Sequence, residues 1–269
     1  MPQTEPVGPT EPTRARHALL AVHAHPDDES LWTGGLLARA ADAGRPTAVV
    51  TCTDGELAGG GSFAAPGTRT KEWTEALEVL GVTSSAMLPY RDSGRRGQGP
   101  GSLCAAPFDD VVADLVERIR ALRPTAVVTY DAAGVSGHLD HIRVHRATLA
   151  AVEAAAVPFL LPSHGPAWAV ESVWLVTAPS SLVGHAAAIG LAPADVPSTP
   201  DERIAVPLDV RPWLAIKWAA LRCHASEFDR GASVSAFADP ALRQLGLGTE
   251  YFLHRPGPGA PTGAGVPSL

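Results

Sequence analysis

The stretch HALLAVHAHPDDES, residues 17–30, decides the fold. Its first seven residues form an apolar run of strand length. Such a run, bounded by polar residues, is the pattern of a strand buried on both faces. It ends in one imidazole and three carboxylates within five residues, His25-Pro26-Asp27-Asp28-Glu29, and a stretch of helical spacing over 30–43 follows and stops at Gly44. The same grammar recurs along the chain. TAVVTCT at 47–53 is a second strand, a short one is expected at 86–88, and TAVVTY at 125–130 is another. Helical spacing covers 70–80, 107–122 and 138–156. Strands alternating with helices predict right-handed βαβ units. The expected fold is therefore α/β and Rossmann-like, a mostly parallel sheet flanked by helices. A less regular C-terminal part follows, with strands at 172–177, 203–210 and 250–254 and a helix at 212–225.

Composition bounds the rest. The 269 residues suit one large domain, and their 45% hydrophobic and 18% charged content is that of a globular protein. Lysine plus arginine is 21 and aspartate plus glutamate 28, a net charge of −7, so no general attraction to nucleic acid or to an anionic membrane is expected. Cys52, Cys104 and Cys223 stand far apart and form neither a disulfide framework nor a CxxC pair, as in a reducing compartment. Residues 1–16 are acidic and proline-containing where a signal peptide is basic, and they read as a disordered leader. Residues 256–269 (PGPGAPTGAGVPSL) read as a disordered tail, leaving one domain over 17–255. The expected location is the cytoplasm. Oligomeric state leaves no mark in the sequence.

In a doubly wound sheet, ligands bind beyond the carboxyl ends of the strands. Three polar clusters fall there: the His25–Glu29 run, Thr53-Asp54-Gly55-Glu56, and Asp131 with His138-Leu139-Asp140-His141. Three adjacent carboxylates beside an imidazole are costly without a cation. Imidazole with carboxylate suits zinc, and an N/O donor set also admits Fe2+. The same acids also favour the first turn of the helix they precede, and the two readings are compatible. His138 and His141 are one helical turn apart and share a face. His141 completes a ligand set with His25 and one aspartate, leaving a position open for water or substrate. His145, one turn further, reads as structural, as does His23. Trp32 fits either the core or a pocket wall.

AHPDDES at 24–30, TCTDGE at 51–56 and TYDAAGVSGHLDH at 129–141 together resemble the LmbE/PIG-L family of zinc-dependent N-deacetylases. Supporting matches are Arg69 with its helix, RDSG at 91–94 and LRCHASEF at 221–228. The resemblance implies that His25, Asp28 and His141 bind zinc, that Asp27 is the general base, and that His138 stabilises the oxyanion or protonates the leaving amine, with Asp140 orienting it. It also implies that Arg69 and Asp92 hold sugar hydroxyls. Within the family the RDSG and HPDDESL segments are most similar to members that deacetylate N-acetylglucosaminyl-inositol in mycothiol synthesis. Three positions depart from that pattern: Ser136 where a tyrosine stands, Leu139 for a proline, and Trp32 for a small polar residue. They put the exact substrate in question, and a secondary-metabolite glycoside, an aminoglycoside or glycopeptide bearing N-acetylglucosamine, fits nearly as well.

The implied activity is removal of acetate from an N-acetylglucosamine-containing small molecule. The rival enzymatic reading is a mycothiol S-conjugate amidase, and the rival non-enzyme a metal-containing sugar-binding protein. A nucleotide-binding Rossmann protein is disfavoured, because His-Pro-Asp-Asp stands where GxGxxG would follow the first strand. Two long loops, 55–68 and 91–106, leave the same sheet edge and are expected to wall the pocket, bringing Arg91, Asp92 and Arg95 toward a polyhydroxylated ligand.

Overall fold

The computed structural model describes residues 18–57, 65, 67–94, 99–183, 197–229, 233–263 and 265–266. Within them five strands run parallel: β1 (Leu19–His23), β2 (Thr47–Thr53), β3 (Ser84–Tyr90), β4 (Ala126–Tyr130) and β5 (Ser172–Thr177). β7 (Thr249–Pro256) pairs antiparallel with β5, and β6 (Val206–Asp209) pairs antiparallel with β7, giving the order β3-β2-β1-β4-β5-β7-β6. The mostly parallel sheet and the flanking helices are as expected. The sequence leaves only the direction of the C-terminal strands open, and of these β7 runs against the five parallel strands.

Every residue of β1 and β2 is buried, and both read as mostly apolar runs broken only by threonine and a terminal histidine. β3 and β6 are edge strands with partly exposed residues, and each carries a proline, Pro89 and Pro207, where the missing N–H costs least. Pro89 also explains why β3 looks shorter in sequence than it is.

The helices are α1 (Asp28–Asp42), α2 (Thr68–Leu80), α3 (Phe108–Leu122), the single turn α4 (Gly134–Gly137), α5 (Leu139–Ala155), the turn α6 (Ser180–Val183), α7 (Leu214–Cys223), α8 (Ala225–Asp229) and α9 (Pro240–Leu247). α1, α2 and α7 pack on one another, as do α3 and α5. The order runs outward from β1 to β3 and then in the other direction from β4, so right-handed crossovers place these two groups on opposite faces. The sequence reading misses α9, although Asp239 caps it through the Ala241 and Leu242 N–H groups and Pro240 begins its first turn.

The expected leader, 1–16, lies outside the described residues, as do residues 58–64 and 95–98 of the two long loops. Of the expected tail, Gly257 and Gly259 donate to the Glu171 and Val170 carbonyls, while 264 and 267–269 lie outside the described residues. Among the described residues, no helix is long and apolar enough to cross a membrane.

One buried ion pair ties the irregular C-terminal part to the helix that carries the acidic cluster. The Glu250 carboxylate accepts from the Gly35 and Leu36 amides at 2.7 and 2.9 Å and from Lys217 Nζ at 2.7 Å. Breaking one side of a buried pair strands the other charge. Lys217→Ala should lower the unfolding free energy by about 3–5 kcal/mol, measured by chemical denaturation, whereas a surface pair of this kind would be worth ~1 kcal/mol or less.

Candidate active site

The sheet order reverses between β1 and β4, and this is where an open α/β sheet leaves a crevice. The turn after β1 is laced to both neighbouring strand ends. The Ala24 amide donates to the Tyr130 hydroxyl at 2.7 Å, and the Ala24 carbonyl accepts from the Thr53 amide and hydroxyl, both at 2.9 Å. His25 follows at once. Asp27, at the α1 N-cap, has φ 111°, a left-handed conformation that a non-glycine residue adopts at a cost. Its carbonyl starts the helix by accepting from the Ser30 and Leu31 amides.

The turn after β4 is shaped by Asp131. One carboxylate oxygen accepts from the Ala133 and Val135 amides at 3.0 Å each, and the other from the Thr177 hydroxyl. Gly134 has φ 68°, and a Cβ there would lie 2.7 Å from His141 Cβ, so only glycine brings the Gly134 carbonyl onto the His141 ring.

These two turns bring three atoms together. His25 Nδ1 lies 3.2 Å from His141 Nε2, and both lie 3.4 Å from Asp28 Oδ2. His141 Nδ1 faces the Gly134 carbonyl oxygen at 3.0 Å and must donate to it, so the neutral ring presents a lone pair at Nε2. His25 Nε2 faces Asp140 Oδ2 at 3.3 Å and Asp92 Oδ1 at 3.6 Å, which fixes its proton there and leaves the Nδ1 lone pair. Two lone pairs and a carboxylate oxygen therefore converge. Four-coordinate bonds of ~2.0–2.1 Å separate ligand atoms by about 3.3 Å, so the donor set and its spacing fit a zinc-sized dication. Without a cation, one ring has to take a second proton. Burial works against this at His25, but hydrogen bonds with Asp140, Asp28 and Asp92 outweigh it and hold the ring well above its usual value. His138 also brings a ring nitrogen within 4.8 Å of the His25 and His141 nitrogens, and Asp92 and Asp140 bring oxygens equally close to His25.

A second layer holds the first in place. Tyr130 donates to Asp28 Oδ2 at 2.7 Å and stacks on the His141 ring at 4.2 Å between centroids and 9° between planes. The Trp32 indole N–H donates to Asp28 Oδ1 at 3.1 Å. Asp140, besides His25, accepts from the Ser93 amide at 2.9 Å and the Cys104 thiol at 3.2 Å.

The adjacent acids are placed differently. Asp28 keeps 5% of its side chain exposed and is fully engaged, whereas Asp27 keeps 18% and contacts Arg69 Nη2 at 3.2 Å. Burial, partly offset by Arg69 and reinforced by Asp28, raises the Asp27 carboxyl to about 6. Beneath it, Glu29 accepts from the Asp27 amide at 3.1 Å and pairs with the buried His224 ring at 2.8 Å. His138 caps α5, its Nδ1 accepting from the Asp140 amide at 3.2 Å, which leaves the proton on Nε2. Burial and the His25 and His141 rings push His138 down to about 4, so the ring is neutral at pH 7.

All eight residues singled out from the sequence lie around this crevice, and three of them have partners that the sequence does not show. Asp140 does not orient His138 through its carboxylate; its backbone amide does that, and its carboxylate turns to His25. Arg69 is engaged within the protein. It is 4% exposed and bound by the Gly55 and Pro26 carbonyls, Asp27 and Glu227, which makes it a buried clamp on Asp27. Asp92 is likewise turned inward, 3% exposed, its Oδ1 accepting from the Gly94 amide at 2.7 Å beside His25. His145 Nδ1 lies 2.8 Å from the Tyr130 carbonyl oxygen and donates to it, and His23 is bonded to the Thr33 hydroxyl at 2.9 Å. The sequence reading misses Tyr130 and the Glu29–His224 pair. Tyr130 closes the TYD strand end, the one available signal. Arg95 lies outside the described residues.

Comparison with known proteins finds relatives over most of the chain. The family model described as GlcNAc-PI de-N-acetylase (PIG-L) matches residues 20–152, which include all three residues of the triangle. A 1D-myo-inositol 2-acetamido-2-deoxy-alpha-D-glucopyranoside deacetylase of Rhodococcus erythropolis is 37% identical over 93% of this chain and 95% of its own. Among solved structures, the conserved protein TT1542 of Thermus thermophilus superposes with a TM-score of 0.65 at 26% identity, covering 93% of this chain and 98% of that one. GalB, a 4-carboxy-2-hydroxymuconate hydratase of Pseudomonas putida KT2440, superposes with 0.64 at 19% identity, covering 94% and 100%. The fold therefore hosts more than one chemistry, and the side chains decide between them.

The Glu29–His224 pair gives stability a definite pH dependence. The fold raises His224 above its usual value of 6.5, because Glu29 and Asp27 outweigh its burial. Its contribution is therefore complete below about pH 6.5 and fades as pH rises through the raised value. Glu29 is lowered from 4.5, its burial outweighed by His224, so its contribution holds above about pH 4.5 and is lost on acidification. Denaturation midpoints measured against pH should show a plateau between these limits. His224→Gln should shrink the alkaline decline, leaving the part that the raised His25 contributes, and lower the plateau.

Proposed function

The chain belongs to the PIG-L family, and we propose that it is a metal-dependent hydrolase removing acetate from an N-acetylglucosamine-containing small molecule. The observation that carries the reading is the triangle of His25 Nδ1, Asp28 Oδ2 and His141 Nε2 at 3.2–3.4 Å, with both ring protons held on the far nitrogens. These three residues would hold the ion, with Zn2+ the first choice and Fe2+ compatible with the donor set. His138 is not assigned to the set, because its Nδ1 is spent on the helix cap and its Nε2 carries the proton. When bound, the ion is a Lewis acid that polarises the amide carbonyl and acidifies water.

The remaining chemistry belongs to the protein. Asp27 is the more open of the two adjacent acids and sits near pH 6, so it accepts a proton from the attacking water at neutral pH. Arg69 holds it in place. His138 faces the same space with an Nε2–H fixed by the helix cap. A neutral ring can donate that hydrogen bond to the oxygen on which negative charge develops, so no imidazolium is needed. Asp27 can then return its proton to the departing amine. Both groups would be dispensable in a protein that only bound metal and sugar.

The substrate class follows from the family and the relatives, namely an N-acetylglucosaminyl-inositol or a comparable secondary-metabolite glycoside. The rival mycothiol S-conjugate amidase reaction would use the same centre on a larger amide. Arg91, mostly exposed and paired with Glu56 at 2.9 Å, stands at the rim.

Asp27→Ala should retain one equivalent of metal by elemental analysis and lose about 10²–10⁴-fold in turnover. His138→Ala should also keep the metal and lose turnover; an emptied site would make His138 a ligand and displace this assignment. The substrate is tested by kcat/KM for N-acetylglucosaminyl-inositol, an N-acetylated aminoglycoside and a sugar-free acetamide. Both sugars should exceed the simple amide, and equal rates on all three would refute sugar recognition.

A further inference from the structure

We infer that Trp32 is a positioning residue for the metal centre, acting through its indole N–H on Asp28. The inference rests on the metal-site reading above and concerns a residue that departs from the family pattern noted in the sequence. Trp32 lies one turn after Asp28 on α1, the i,i+4 spacing at which side chains on one helix face meet. Its Nε1–H donates to Asp28 Oδ1 at 3.1 Å. The other oxygen, Oδ2, is the one in the triangle and is already held by the Tyr130 hydroxyl at 2.7 Å and the His25 amide at 2.9 Å. Each carboxylate oxygen thus has its own donors. The carboxylate plane is fixed, and Oδ1 is kept from swinging toward the ion. Asp28 therefore offers one oxygen, which keeps the open position that a catalytic site needs. The ring itself packs against the hydrophobic core, which anchors the N–H.

Hydrogen-bond partners of ligating carboxylates orient the ligand, and losing one typically lowers metal affinity by about 10–100-fold. Two substitutions separate the N–H from the bulk of the ring. Trp32→Phe keeps an aromatic ring and removes the donor. Trp32→Gln removes the ring and keeps a donor that reaches an aspartate four residues back on a helix. Zn2+ dissociation constants would be measured by competition with a chelator, with thermal unfolding and circular dichroism on the same samples. Trp32→Phe should weaken Zn2+ binding about 10–100-fold, and Trp32→Gln should stay within about threefold of the wild type.

The reverse order or equal losses in both variants would assign the residue to packing, and no loss in either would leave it no role at the metal; each overturns the inference. If the wild-type protein binds no Zn2+ or Fe2+, the metal-site reading falls and this inference falls with it. Wild-type binding with unaltered affinity in Trp32→Phe overturns the inference alone. Turnover gives a second readout. Kinetics at saturating Zn2+ should restore part of the Trp32→Phe rate, which added metal would not do for a residue that only binds sugar.

Discussion

Two imidazole lone pairs and a carboxylate oxygen held 3.2–3.4 Å apart repel one another unless positive charge lies among them. Much of the surrounding structure serves to hold that unfavourable arrangement. The Gly134 carbonyl and the Asp140 carboxylate keep the ring protons on the outer nitrogens, and Tyr130 and Trp32 hold the two oxygens of Asp28. None of these groups can relax inward, because each is anchored in a buried strand end, a core ring or a constrained turn. The protein so arranged favours a bound cation over a rearranged apo site, with a proton on His25 as the alternative occupant.

The same constraint separates two neighbouring acids into two roles. Asp28 begins the helix and is saturated by donors. Asp27 is turned out of the helical path by its left-handed backbone and stays partly open. The cost of that backbone is offset from below, where Glu29 takes the Asp27 amide and is itself neutralised by His224. It is offset from the side by Arg69, which binds the Pro26 and Gly55 carbonyls as well as the carboxylate. Stability and chemistry are thus coupled through α8 and the segment before it, since His224 and Glu227 both come from there.

The hydratase that shares the fold shows why architecture alone does not name the reaction. A sheet whose order reverses at β1 and β4 provides a crevice and little more. What this chain adds is a donor set for a dication, an open carboxylate near neutrality, and a neutral imidazole whose hydrogen is aimed by a helix cap. Each is set by hydrogen bonds a few residues long, and a few substitutions would redirect the same scaffold.

Much of this was legible without coordinates. Apolar runs such as 17–23, 47–53 and 125–130 can satisfy their backbones only as strands buried on both faces. Alternation with helices then forces them parallel, and the polar residues after each run must collect at one edge. The acid-rich run after β1 and the paired histidines after β4 marked the chemistry for the same reason. Tertiary structure alone decided which partners those side chains take. Arg69, Asp92 and Asp140 looked free to bind ligand or orient His138, because spacing along a chain does not show which carbonyl or ring lies opposite. Whether a charged group is turned in or out depends on acceptors from distant segments, such as Pro26 and Glu227 for Arg69. The role of Trp32 was hidden for the same reason. A tryptophan one turn from an aspartate reads as core or pocket wall, and only the fixed orientation of its indole, set by packing, turns it into a hydrogen-bond donor to the metal site.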